Sequence, residues 1–385
     1  VLLLNNVPAP YFEPLFETLG RESGWRLTVC YASTWNAGIG WEEKSIAGSV
    51  AHRTIVLDQL SAGLRRWFGS WAAAAASLGG ILLRERPEYL ICYGYTLWPQ
   101  MTLLLYAMAT ATPFAAIGDA NYFNETRGGL KQWIKRAWLR RVARRASALI
   151  AVGTASRLFW ESHGARPEQL FEARFAVDND FFARECERRK EDAARLRTRF
   201  GLDGKVVFLF VGRLIERKNV DLIIRAIRQT EDQRAALVIA GAGEERAALE
   251  ALARGESRVV FAGAVAPEQL PAYYAMADAL VLPASREPWG LVVNEAMASG
   301  LAVIAHRHCG AALDLIGEDN GVLLDGFEVA ELAAAMRSML NDEARMRSMK
   351  YNSREKIKNW SIQGAACAMI RAVEESAVPQ TLIET

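Results

Sequence analysis

Apolar positions in this chain come in short solid runs, separated by stretches with helical spacing. In the first half the runs fall at residues 2–4, 27–31 (broken only by Thr28), 89–92, 114–117 and 148–152. In the second half they fall at 206–211, 236–240, 259–261, 279–282 and 302–304. Runs this short, rich in Val, Ile, Leu and Phe and without polar alternation, predict strands buried on both faces. Helical patterns lie between them, such as residues 98–110 and the stripe Ile223, Ile224 and Ile227. Regular alternation of strand and helix means parallel sheets covered on both sides, so the expected class is α/β, doubly wound. A chain of 385 residues has room for two such domains, each with its own core.

Residues 89–118 hold no acidic or basic side chain, which raises the question of a membrane span. Pro99 and Pro113 divide the stretch, and Gly94 and Gln100 interrupt it. Strand, helix, strand accounts for it better, because elements of a parallel sheet can be apolar throughout. The net charge of +2 is too small to imply a nucleic-acid partner, and four scattered histidines do not suggest a metal cluster. Cys30, Cys92, Cys186, Cys309 and Cys367 are far apart, odd in number and without a CxxC. That argues against a disulfide framework or a zinc site and fits a reducing compartment. The opening residues, Val1 to Asn6, are too short a stretch for a secretory signal core and read as a first strand.

Candidate chemistry gathers in two places. Glu287 and Glu295 stand eight positions apart in a stretch that runs from Arg286 to Gly300. Pro288 suits an early helical position and Gly300 a helix stop. Eight residues make a little over two turns, so a regular helix would carry both carboxylates on roughly one side. The amides of Gly290, Leu291 and Val292 would then be free at the helix start, where the dipole amounts to about half a positive charge. Two acids flanking an anion-binding helix end suit a ligand with hydroxyls at both ends and phosphate in the middle, such as a nucleotide sugar. Spacing alone also allows two ordinary glutamates, one in a loop and one on a solvated helix face. The second place follows the run 206–211. Gly212 permits a sharp turn, and Asn219 or Asp221 is expected to cap the next helix. Arg213 and Lys218 leave the carboxyl end of a strand, where open α/β sheets bind ligands. A guanidinium fork and an ammonium together suit a diphosphate, although two surface cations would read the same way.

Taken together, the motifs resemble the retaining nucleotide-sugar glycosyltransferases of family four, which have the GT-B fold. The matching residues are Gly212-Arg213 with Lys218, Gly241-Ala242-Gly243, Phe261-Ala262-Gly263, and Glu287 to Glu295 with its helix. The likeness is strong over residues 206–324 and weaker towards both ends. It implies two doubly wound, Rossmann-like parallel-sheet domains facing a central cleft. Residues 1–176 would form the acceptor side, joined by a crossover helix at 364–385, and residues 177–363 the donor side. The resemblance implies that Arg213 and Lys218, beside Gly212, hold the donor diphosphate. Glu295 would hold the ribose hydroxyls and Glu287 would lie beside the transferred sugar; Trp289, Gly290, Leu291 and Val292 complete the expected donor site. Retention, no metal and no cofactor beyond a UDP- or GDP-type sugar donor are implied as well, with a glycan, lipid-linked or small-molecule acceptor. A sugar-nucleotide epimerase and a catalytically silent binding protein are the alternatives on the same fold.

Two motifs are decoys. Asp178-Asn179-Asp180 spells DxD, a metal-holding pattern elsewhere, but it falls in a turn expected to be the interdomain hinge. Gly241 to Arg246 imitates the start of GxGxxG, yet it ends in Arg246, and Glu244 and Glu245 would repel a dinucleotide's phosphates. The chain also departs from its relatives. Many have a glycine-rich loop after the first strand; here Pro8 and Pro10 stiffen that loop and are expected to start a helix near Tyr11. Many carry a histidine near the end of the fourth strand, where this chain has Gly118-Asp119-Ala120-Asn121. Asp119 is therefore a further catalytic candidate, able to orient the acceptor hydroxyl or the sugar, or else a plain turn aspartate.

Residues 126–160 contain nine Lys or Arg and no acid. Within the helical segment 131–145, Ile134, Trp138 and Val142 form one stripe, with Lys131, Lys135, Arg136, Arg140 and Arg144 elsewhere. The stripe is expected to cover the helix's own sheet while the cations stay solvated. The same charge would suit peripheral contact with anionic lipid at the inner face of a membrane, and with it a lipid-linked acceptor. The expected location is cytoplasmic.

Overall fold

Every paired strand of the computed structural model, which describes residues 1–9, 11–33, 51–60, 69–125 and 128–377, runs parallel to its neighbours. The chain divides into two units, Val1–Phe175 with Ile362–Thr385, and Ala176–Ser361.

The first unit holds β1 (Leu2–Asn5), β2 (Thr28–Tyr31), β3 (Arg53–Val56), β4 (Leu90–Tyr93), β5 (Phe114–Gly118), β6 (Ala148–Ala151) and β7 (Leu170–Glu172), in the order β3-β2-β1-β4-β5-β6-β7. β1 sits between β2 and β4, with Leu2 opposite both Thr28 and Leu90. Its strands are apolar because helices cover them: Leu2, Leu4, Leu90, Cys92, Phe114 and Leu149 share a core with Leu78, Leu82, Leu103, Leu104, Leu139 and Val142. The uncharged stretch resolves into β4, the helix Trp98–Thr110 and β5. Among the described residues, no helix is long and apolar enough to cross a membrane. The first helix is Glu13–Glu22, two residues beyond Tyr11, with Pro14 in its first turn; Pro10 lies outside the described residues. The helix Ile362–Ala377 packs on this unit, where Ser376 Oγ lies 2.6 Å from the Tyr89 hydroxyl. Residues 378–385 of the expected crossover helix also lie outside the described residues.

The basic segment forms the helix Leu130–Arg145, but the expected stripe is only partly right. Leu139, Val142 and Ala143 are buried, Trp138 is partly buried with its indole donating to Tyr95 O (2.7 Å), and Ile134 is exposed. Steps of four residues overshoot a full turn by about 40°, so Ile134 has drifted about 80° from Val142 and off the covered face.

The second unit holds β8 (Val206–Val211), β9 (Ala235–Ala240), β10 (Val259–Gly263), β11 (Ala279–Leu282), β12 (Ala302–His306) and β13 (Gly321–Leu324), in the order β10-β9-β8-β11-β12-β13. The order reverses between β8 and β11, which pair through Phe208 with Ala279 and Leu209 with Leu280. Connections leave these two strands towards opposite edges, so their carboxyl ends open a crevice where ligands of such sheets bind. Asp178 of the DxD sequence caps the helix Asn179–Arg188, its Oδ1 accepting from Phe181 N at 2.8 Å.

Candidate functional site

At the carboxyl end of β8 the chain turns at Gly212 (φ 149°), whose N–H donates to Ala240 O at 3.0 Å. A Cβ on Gly241 would stand 1.9 Å from Gly212 O, so only glycine lets the turns after β8 and β9 touch backbone to backbone. A 3-10 turn, Glu216–Lys218, follows and buries Lys218. Neither Asn219 nor Asp221 supplies the expected side-chain cap to the helix Val220–Thr230. Asn219 is left-handed (φ 50°), and its Nδ2 donates to Pro283 O at 2.9 Å instead. Ser285 N donates to Arg217 O at 2.9 Å, so the Lys218 turn is tied at two points to the loop after β11.

That loop corrects the sequence reading of the two glutamates. The helix is Leu291–Ala298, and Pro288 lies before it rather than in its first turn. Residues 287–289 run alongside the segment after β12: Glu287 bridges Cys309, Gly310 N donates to Glu287 O (3.1 Å) and Ala311 N to Trp289 O (2.9 Å). Tertiary pairing thus overrides the preference of proline for a helix start. Gly290 (φ 96°) then turns the chain into the helix, and a Cβ there would lie 2.8 Å from Cys309 Sγ and 3.1 Å from Glu287 Cγ. Glu295 is little more than one turn into the helix and Glu287 is outside it, so the two acids do not share one helical face. The stem of Glu287 nonetheless lies against Gly290, beside the amides of Leu291 and Val292, which as first-turn groups have no acceptor within the helix. Trp289 also differs from expectation. It is 2% exposed, stacks on Trp360 with centroids 5.3 Å apart, and donates through Nε1 to Asn294 Oδ1 (2.9 Å). Its ring anchors the turn in the core instead of lining the ligand side.

Charge converges on Glu287. Lys218 Nζ donates to Glu287 Oε2, and Arg217 Nη1 stands 3.5 Å from the same oxygen. Both Lys218 and the Glu287 side chain are largely buried, where an unpaired charge would be costly. Arg213 is exposed at the same strand end, and among the described residues no carboxylate pairs with it. Glu295 accepts a 2.5 Å hydrogen bond from the Tyr274 hydroxyl. Burial pushes the Glu295 carboxyl pKa up, and the Tyr274 bond pulls it part of the way back. Burial, helped by the charge of Glu287, raises the Cys309 thiol to about 12, so that side chain is an inert packing group.

The structure therefore brings Gly212, Lys218, Glu287 and the helix start at Gly290, Leu291 and Val292 to the carboxyl end of the central strands β8 and β11, with Arg213 beside them and Glu295 further along the same helix. Asp119 belongs to the other unit. It is exposed just beyond β5, and its charge, with that of Glu125, adds to burial in raising the Tyr95 hydroxyl pKa. Arg217 and Tyr274 went unanticipated. Arg217 sits among Glu216, Arg217 and Lys218, where sequence cannot say which cation faces the acid. Tyr274 lies 21 residues from Glu295, next to a second tyrosine, Tyr273, in a short helix, so the chain does not say which of the two meets the acid.

Residues 192–356 match the family model described as glycosyl transferases group 1. A GDP-mannose-dependent alpha-(1-6)-phosphatidylinositol monomannoside mannosyltransferase of Mycolicibacterium smegmatis is 31% identical over 242 residues, 59% of this chain and 62% of that protein. The protein of the same name from Mycobacterium tuberculosis is 31% identical over 268 residues, 64% of this chain and 68% of that one. The chain thus spans 62% to 68% of the length of these curated relatives. Among solved structures, Anabaena HepE in complex with UDP and glucose superposes with a TM-score of 0.70 at 16% identity, covering 97% of this chain and 98% of that one. The shared fold is GT-B.

Proposed function

The chain belongs to the group 1 glycosyl transferases, and on that premise we propose that it moves a sugar from a nucleoside-diphosphate donor to a hydroxyl acceptor, with retention at the anomeric carbon. One observation carries the reading: Lys218, Glu287 and the open helix start at Gly290 to Val292 meet at the switch point of the second unit's sheet. Arg213, Lys218 and the amides of Leu291 and Val292 take the diphosphate, with Gly212 leaving the backbone clear beside it. Glu295, oriented by Tyr274, takes the ribose hydroxyls. Glu287, fixed by Lys218 and Arg217, faces the sugar.

As the bond from the anomeric carbon to the diphosphate breaks, negative charge grows on the leaving phosphate. On this reading Lys218, Arg213 and the helix start stabilise that charge, and a lost donor of this kind costs roughly 100- to 1000-fold in rate. Those groups neutralise the charge in the role a metal would otherwise take, so the reaction is read as metal-independent. The leaving phosphate oxygen takes the acceptor's proton on the same face, so no dedicated base is needed; Asp119 orients the acceptor hydroxyl or the sugar. Similarity to proteins named for GDP-mannose, and to one solved with UDP, supports a UDP- or GDP-type donor. The phosphatidylinositol mannoside in the relatives' name supports a lipid-linked acceptor among the glycan, lipid-linked and small-molecule classes. Five unpaired cysteines suit the cytoplasm, at the inner face of a membrane for a lipid-linked acceptor.

The test is incubation with a panel of UDP- and GDP-sugars and acceptors, with the product's anomeric configuration read by NMR. Retention supports the proposal. Donor altered without any acceptor would point to an epimerase, and failure to bind any nucleoside diphosphate to a silent binding protein.

A further inference from the structure

The outward face of the helix Leu130–Arg145 is not explained by sugar transfer. Its first turn exposes Leu130 (72%), Trp133 (68%) and Ile134 (54%), positions spaced to form one apolar patch. Further along, a groove of about 560 Å³ is lined by Trp133 and by Arg136, Arg140, Arg141, Arg144 and Arg145. Among the described residues no carboxylate pairs with any of these arginines, and the acid just before the helix, Glu125, is engaged with His163 at 3.3 Å. The Nε of Arg136 is buried without an acceptor, an unusual state for a guanidinium that has no anion beside it. At 1.5 Å per residue, Leu130 and Arg140 lie about 15 Å apart along the helix, with Trp133 and Arg136 between them, so the apolar turn runs directly into the arginine block.

We propose that this face docks the protein on an anionic phospholipid bilayer, with Leu130, Trp133 and Ile134 entering the headgroup boundary and the arginines meeting lipid phosphates. Charge complementarity alone would also admit a nucleic acid. A nucleic acid, however, gives no reason to expose a tryptophan, an isoleucine and a leucine beside the cations, whereas the bilayer interface takes both parts at once. The inner side of the same helix is already committed through Leu139, Val142 and Ala143, so the exposed face is available without unfolding anything. The inference adds a seat for peripheral contact to the transfer reading above and does not depend on it.

The full chain should co-sediment with vesicles of phosphatidylcholine containing about a third phosphatidylglycerol, should itself remain in the supernatant when the vesicles are pure phosphatidylcholine, and should be released by high salt. Each cation near such a surface is worth roughly a fivefold gain in partitioning, so Arg140→Glu with Arg144→Glu should lower binding at least about 25-fold. Trp133→Ala with Ile134→Ala should lower it about tenfold or more. Both pairs are exposed, so thermal unfolding and nucleoside-diphosphate titration should match the parent chain. That control separates failure of docking from failure of the transfer reading. Equal binding to neutral vesicles, no binding at all, or charge-reversal variants that bind normally would overturn the proposal. So would full binding by the Trp133→Ala, Ile134→Ala variant together with tight binding of a DNA duplex, which would make the face a general polyanion site.

Discussion

Replacing Glu295 by glutamine should weaken nucleotide binding while making the fold more stable at neutral pH. Burial holds this carboxyl above its ordinary range, so the native state resists ionising it, and the bond from Tyr274 offsets only part of that resistance. In the unfolded chain a glutamate ionises near pH 4.3. Below that value both states hold the proton and nothing is lost. As pH rises through the raised folded pKa the native state has to carry a buried charge, and stability falls. Glutamine keeps an acceptor for the Tyr274 hydroxyl and carries no charge. The variant's advantage should therefore be absent near pH 4, grow no faster than about 1.4 kcal/mol per pH unit, which is the slope for one proton, and level off above the folded pKa. Binding should move the other way. An ionised carboxylate accepting from a hydroxyl is worth about 1.5–3 kcal/mol, or roughly 10- to 150-fold in affinity for each ribose hydroxyl engaged. Calorimetric titration with UDP and GDP, repeated with the 2′,3′-dideoxy forms, isolates that contribution. The parent chain should prefer the ribose forms at least about tenfold, and the variant should lose the preference. An equal loss for ribose and dideoxyribose nucleotides would show that Glu295 does not hold the ribose, and a variant less stable than the parent at pH 7 would show that the native state is not burdened by a buried charge there.

Further outcomes follow from the same contacts. Glu287→Ala should nearly abolish transfer while leaving nucleoside-diphosphate affinity largely intact; calorimetry beside a turnover assay separates the two, and a matching fall in both would contradict the role given to Glu287. Trp289→Ala removes a buried ring stacked on Trp360 and should cost about 3–5 kcal/mol of stability, read as a lower urea midpoint. Asp278 lies beneath the β8–β11 pair. Burial pushes its carboxyl pKa up, but Lys350 (2.9 Å), the Val207 amide (3.0 Å) and Arg197 (2.9 Å) together hold it below the ordinary range. Its contribution is present above the unfolded value of about 3.9 and lost as pH falls through the folded one. Asp278→Asn should therefore be less stable at pH 6 and show a flatter acid limb in urea unfolding against pH.

The architecture was legible in the sequence wherever a strand is covered on both faces. Val206–Val211 and Ala279–Leu282 can be read directly because burial on both sides leaves no place for polar alternation. The strands that escaped, Arg53–Val56, Leu170–Glu172 and Gly321–Leu324, are the short edges of their sheets. With a neighbour on one side only, an edge strand can carry Arg53, Glu172 or Gly321, and its pattern weakens. At the site, Gly212, Lys218 and Glu287 were nameable from the chain because residue type and position after a strand already limit their chemistry. What could not be read was set by contacts distant in sequence. The pairing of residues 287–289 with Cys309 to Ala311 moved the helix start from Pro288 to Leu291, and the stacking of Trp289 on Trp360 turned an apparent ligand contact into a support. The bond from Tyr274 to Glu295 joins two elements whose facing is fixed only once the unit has folded.

The proposed transfer requires that the carboxyl end of the second unit's sheet receive a nucleoside diphosphate. A crystal structure of the full chain soaked with UDP or GDP tests it most directly. Phosphate density is expected within hydrogen-bonding reach of Lys218, Arg213 and the amides of Leu291 and Val292, with the ribose on Glu295. Density for the nucleotide at any other place, with these groups left uncontacted, would contradict it.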